Sequence, residues 1–127
     1  MVNRSLVSVV DDDESVRESL PDLLQQFGFV CRAFSSGEAF LASEVVSQTS
    51  CLILDVAMPG MSGPDLQREL RSRRHRIPIV FITAQSDDGI RQRLLAGGAV
   101  ECLFKPFGEA ALLDAVNAAL RMREGPQ

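Results

Sequence analysis

The sequence predicts an α/β fold in which five βα units wind around a parallel sheet, and three observations predict it. Short apolar runs alternate with longer segments of helical period, the pattern of strands joined by crossover helices. The third run, Cys51 to Leu54, is apolar throughout, as a central strand covered on both faces requires. Polar groups stand just beyond the runs: Asp11 and Asp12 after the first, Asp55 after the third, Thr83 after the fourth and Lys105 after the fifth.

Leu6 to Val10 reads as the first strand. Val16, Leu20, Leu23, Leu24 and Phe27 follow at spacings that share one helical face, and Gly28 closes that helix. Pro21 lies inside it, where the missing N–H and the ring cost about 3 kcal/mol. Phe29 to Phe34 is the second strand, followed by a short helix to about Ser43 for which Ser35 and Glu38 have capping-box spacing. Cys51 to Leu54 delivers Asp55 to its end. "VAMPGMSGPDL" is a turn segment in which Ser62 or Gly63 precedes a helix that tolerates Pro64 in its first turn and runs to about Arg74. Ile79 to Ile82 is the fourth strand. Ser86, Asp87 and Asp88 then supply a cap and acids where a helix N-terminus favours them, and Gly97-Gly98 ends the helix. Val100 to Phe104 is the fifth strand, and Phe107 to Met122 the last helix.

At 127 residues, 46% hydrophobic and 24% charged, the chain has the balance of one domain, expected over residues 1–123 with 124–127 a tail or the start of a linker. A net charge of −4 opposes general attraction to nucleic acid or to anionic membrane surfaces. No run approaches the roughly 20 apolar residues of a membrane span, and no secretory leader pattern opens the chain, so a cytoplasmic location without membrane attachment is expected. Cys31, Cys51 and Cys102 form no CxxC pair and are expected to be buried thiols.

In an open parallel sheet the ligand site lies beyond the carboxyl ends of the strands, where the strand order reverses. With the order 2-1-3-4-5, the first and third strands are neighbours, so Asp11, Asp12 and Asp55 converge on one pocket. Their mutual repulsion calls for a cation. Oxygen ligands without nitrogen or sulfur suit a hard divalent ion, and a site that meets a phosphoryl group suits magnesium. Asp55 can then act as a nucleophile toward phosphorus, with Lys105 as a second neutraliser. Lys105 is the one lysine beside twelve arginines, a compact ammonium on a flexible stem. The hydroxyl of Thr83 can donate to a phosphoryl oxygen. Asp13 and Glu14 read as capping or first-turn acids, and "RSRRHR" around His75 as a solvated helix end.

The pieces "VVDDD", "LILDVAMPGMSG", "FITA" and "LFKPF" stand in the order and spacing of the receiver domain of two-component response regulators, which the whole chain resembles. The resemblance implies a flavodoxin-like fold with helices on both faces of the sheet. It implies magnesium held by Asp11, Asp12, Asp55 and the backbone carbonyl of Ala57, and phosphorylation of Asp55 by a sensor histidine kinase. Thr83 matches the family's switch hydroxyl, Lys105 its phosphate-contacting lysine, and Lys105-Pro106 its cis peptide. The expected readout is a changed protein-binding surface over about Ile90 to Phe104, a homodimer contact through the fourth helix and fifth strand. "MPGMSG" and "LFKPF" look most like receivers joined to a LuxR-type helix-turn-helix, so DNA would be reached only through an output domain outside this sequence; a stand-alone phosphorelay receiver is the alternative.

Two positions depart from the family pattern. Cys102 stands where an aromatic residue often turns inward, and Ala57 offers no side chain to an attacking water. An aspartate-nucleophile phosphohydrolase needs a second acid two residues after the nucleophile, and that place is Ala57. A flavodoxin needs hydroxyls and glycine after the first strand, where "DDDES" repels an anion.

Overall fold

The computed structural model describes residues 5–85 and 87–124. Strands β1 (Leu6–Val10), β2 (Val30–Phe34), β3 (Cys51–Asp55), β4 (Ile79–Thr83) and β5 (Glu101–Phe104) form one parallel sheet in the order β2-β1-β3-β4-β5. Helices α1 (Glu14–Gln26), α2 (Gly37–Leu41), α3 (Gly63–Ser72), α4 (Asp88–Ala96) and α5 (Glu109–Glu124) alternate with them.

The period of two along each strand divides the core. Leu52, Leu54 and Phe81 face Phe40 of α2, Leu66 and Leu70 of α3 and Leu94 of α4. Cys51, Ile53, Val80 and Ile82 face Leu20 and Leu24 of α1 and Leu112, Val116 and Ala119 of α5. Every residue of β3 and β4 is buried. This is the cause of the unbroken apolar runs, since neither face of a central strand meets water.

The helix ends follow local chemistry. Asp13 caps α1, accepting from the Ser15 amide, and α1 continues through Pro21. Gly28 follows the helix at φ 90°, a left-handed conformation that costs a glycine nothing. Ser62 and Asp65 form a reciprocal capping box at the start of α3. Asp87 caps α4, with Ser86 outside the described residues.

The structure corrects several expected boundaries. Ser36, not Ser35, caps α2, accepting from the Ala39 amide, and α2 ends at Leu41. A 3₁₀ turn over Val46–Gln48, unanticipated from sequence, precedes β3. α3 stops at Ser72, before the left-handed Arg74 at φ 65°. α5 begins at Glu109 because Pro106, Phe107 and Gly108 form the connection from β5. Cys51 and Cys102 are buried thiols, whereas Cys31 is only half-buried.

Candidate functional site

All the polar strand-end residues lie along the carboxyl edge of the sheet, where Asp11, Asp12, Asp55 and Lys105 come together. β1 and β3 are adjacent there, so Asp11 and Asp12 stand beside Asp55, with carboxylate oxygens of the three within 4.8 Å of one another. Asp11 is fully buried and Asp12 exposed, so the cluster has an inner and an open side. Lys105 Nζ reaches in from the end of β5, 2.9 Å from Asp11 Oδ2 and 3.9 Å from Asp55 Oδ1.

The turn after β1 is held at several points. Asp11 Oδ1 accepts from the Asp13 amide at 2.9 Å. Arg17 Nη1, on the first turns of α1, donates to the Asp11 carbonyl at 3.0 Å. Asp13 accepts from the amide and hydroxyl of Ser15, hydrogen bonds that hold its carboxyl below the usual range.

The electrostatics are set by a surplus of acids. Burial comes first, then the charge of Asp11, and together they push Asp55 up to about 7 against the pull of Lys105. At Lys105 burial opposes the charged form, but the hydrogen bond to Asp11 and the charges of Asp55 and Asp11 outweigh it and hold the ammonium above its ordinary pKa. One ammonium among three converging carboxylates leaves the pocket short of positive charge. A hard cation is what these oxygens fit.

Thr83 ends β4 with 1% of its surface exposed. Its Oγ1 accepts from the Gln85 amide at 3.1 Å, leaving the hydroxyl proton available to another acceptor. The Lys105 amide donates to the Thr83 carbonyl at 2.8 Å, tying the ends of β4 and β5 together, and the Lys105–Pro106 peptide is cis. Ala57 lies exposed on the loop leaving β3. Cys102 is buried in the layer under α4, where burial raises its thiol pKa. Next to it Glu101 Oε1 accepts from Arg91 Nη2 of α4 at 2.7 Å and from the Cys102 amide at 2.9 Å.

Sequence reasoning missed Arg17, whose role depends on the turn bringing α1 back over Asp11; no spacing signal marks it. Gly63 was legible only as a turn glycine, although it donates to the Val56 carbonyl at 2.9 Å directly behind Asp55. His75, expected at an exposed helix end, is half-buried just past α3.

Fold and site together define a doubly wound α/β domain with an acidic, cation-ready pocket at its topological switch point. Residues 7–117 match the response regulator receiver domain model, and the chain belongs to that family. It is similar to nodulation protein W of Bradyrhizobium diazoefficiens, 47% identical over 116 residues that make up 91% of this chain and 51% of that protein. Response regulator protein TodT of Pseudomonas putida is 42% identical over 118 residues, 93% of this chain and 52% of that one. The crystal structure of FixJ-N superposes with a TM-score of 0.83 at 33% identity, covering 98% of each chain. The chain spans about half the length of the curated relatives it matches.

The domain is thus a receiver of two-component signalling, a family of generally non-enzymatic signalling domains in which phosphorylation on aspartate is typical, and relatives include transcriptional regulators. Membership implies interaction with a sensor histidine kinase, and where receiver domains bind magnesium at an acidic pocket this chain has the cluster of Asp11, Asp12 and Asp55. Among the described residues no helix is long and apolar enough to cross a membrane.

Proposed function

We propose that this domain, over residues 1–123, is a switch that accepts a phosphoryl group on Asp55 from a sensor histidine kinase and alters its protein-binding surface in response. The observation that carries the reading is the convergence of Asp11, Asp12 and Asp55 with Lys105 Nζ set 2.9 Å from Asp11 and 3.9 Å from Asp55. An Asp55 carboxylate oxygen attacks phosphorus as the phosphorus–nitrogen bond of a phosphohistidine breaks, the electron pair returning to the imidazole. Asp11, Asp12, Asp55 and the Ala57 carbonyl would hold magnesium, which when bound neutralises phosphoryl oxygens. Lys105 supplies a second positive charge, at present paired with Asp11. Thr83 donates its free proton to a phosphoryl oxygen, a contact that exists only after transfer.

The domain is a signalling module rather than an enzyme, beyond accepting phosphate from small donors and losing it again. Its output runs through the α4 and β5 face, as a homodimer contact, to a cytoplasmic transcriptional output domain that alone touches DNA; residues 124–127 start the linker. Incubation with acetyl phosphate and magnesium is expected to add the mass of a single phosphoryl group, located by peptide mapping to Asp55 and absent from Asp55→Asn. Undiminished labelling of that variant moves the acceptor elsewhere.

A further inference from the structure

We propose that Gly63 is a positioning residue of the phosphoryl site, keeping Asp55 and the loop that carries Ala57 in place because it has no side chain; the inference rests on the reading of Asp55 as the acceptor.

α3 begins at Gly63, directly against the exit of β3. A Cβ there would lie 2.3 Å from the Asp55 carbonyl oxygen, 2.9 Å from Phe81 Cε1 and 3.1 Å from the Val56 Cα. Side-chain carbons do not come closer than 3.0 Å to such atoms. Two of the three walls are backbone, and the third is a fully buried ring on β4, so no flexible side-chain end can swing away. On its other side the Gly63 amide donates to the Val56 carbonyl at 2.9 Å. Residues 57–62 therefore leave and rejoin the fold across one hydrogen bond. Buried Met58 anchors that loop from below, and the Ser62–Asp65 capping box fixes the helix start from above.

A side chain at position 63 has two ways to find room. The start of α3 can back away, which breaks the bond to Val56 and shifts the loop bearing Ala57. Alternatively the Asp55–Val56 peptide moves and takes the Asp55 carboxylate away from Lys105. Both routes displace part of the site, while the residues that seat α3 on the sheet, Leu66 and Leu70, lie further along the helix. Gly108 provides the contrast, because a Cβ there meets nothing within 4 Å.

The test compares Gly63→Ala with Gly108→Ala and with Val116→Ala, a cavity in the opposite core layer that lowers stability without touching the site. Each is made in the parent and in an Arg74→Gly background, which relieves the left-handed residue at the far end of α3. Melting temperature without metal, phosphorylation rate at saturating acetyl phosphate, and the magnesium concentration for half-maximal thermal stabilisation are measured. Gly63→Ala is expected to fold but to lose about ten- to a hundredfold in phosphorylation rate and to need about tenfold more magnesium, the scale of an ångström-level misplacement. Gly108→Ala and Val116→Ala should stay within about twofold of the parent by both measures, whatever their melting temperatures. A Gly63→Ala chain no more impaired than Val116→Ala overturns the proposal, and so does failure to fold in both backgrounds, which would make the glycine a requirement of the whole fold. If the parent takes no label on Asp55, the proposed function fails and the inference about Gly63 falls with it, whereas a labelled parent with an unimpaired Gly63→Ala overturns the inference alone.

Discussion

Asp55 gives up its proton reluctantly, because its carboxylate is buried beside the charge of Asp11. Unfolded, it ionises near 3.8; folded and without metal, near 7. Between those values the unfolded chain has released a proton that the folded chain still holds, so this group's contribution to stability falls as pH rises and levels off above about pH 7. Asp13 and Asp65, held low by hydrogen bonds from Ser15 and Ser62, act in the opposite sense and only at lower pH. Of these three carboxyls, Asp55 is the one whose contribution changes between about pH 5 and pH 7. Scanning calorimetry of metal-free protein should give a higher melting temperature at about pH 5.5 than at about pH 8, a difference that Asp55→Asn reduces. Magnesium, which requires the ionised carboxylate, should raise the melting temperature more at the higher pH. A larger rise at the lower pH would contradict the raised Asp55 pKa. At this scale the sequence was informative wherever a charged residue followed an apolar run. Arg17 was not legible, because only the folded turn brings its guanidinium to the Asp11 carbonyl.

Helix termini account for most differences between expected and observed elements. The cap of α3 was readable because Ser62 and Asp65 have reciprocal spacing, whereas Ser35 and Ser36 are both plausible caps and the structure uses the second. The 3₁₀ turn before β3 is closed by a local bond, Thr49 Oγ1 donating to the Val45 carbonyl at 2.8 Å, and docked by a tertiary one, the 2.8 Å bond between the Thr49 and Ser8 hydroxyls, and the second has no signature in the local sequence. At the end of α3 the His75 amide donates to the Leu70 carbonyl at 2.9 Å and Arg74 takes the left-handed position that Gly28 and Gly98 occupy after α1 and α4. A non-glycine residue there costs about 1–2 kcal/mol, offset in part by the greater freedom glycine has when unfolded. Arg74→Gly should accordingly raise unfolding free energy in urea by about 0.5–1 kcal/mol. A decrease would mean that the arginine side chain contributes more than the turn geometry loses.

For the molecule as a whole, the alternation of strands and helices was legible because a one-sided period distinguishes helices from doubly buried strands, the order β2-β1-β3-β4-β5 followed from the likeness to the receiver fold, and the candidate site was legible because four strands end on polar groups at one edge. How a signal leaves that edge was less legible. Cys102 is already buried, with no bulky ring to turn, so the proposed function assigns transmission to Thr83, the loop after it and α4, which Arg91 ties to Glu101 of β5. With beryllofluoride and magnesium as a phosphoryl mimic, hydrogen exchange over residues 90–104 should change in the parent and much less in Thr83→Ala. An equal change in both removes Thr83 from the path; no change in either places the output on another face.

Lys105 is the only lysine in the sequence, and its ammonium faces Asp11 and Asp55. Reagents that acylate side-chain amines accordingly find a single lysine address in these 127 residues. That address is also the cationic partner of the pocket, so the extent of lysine labelling reads how open one site is, without a probe having to be built into the protein.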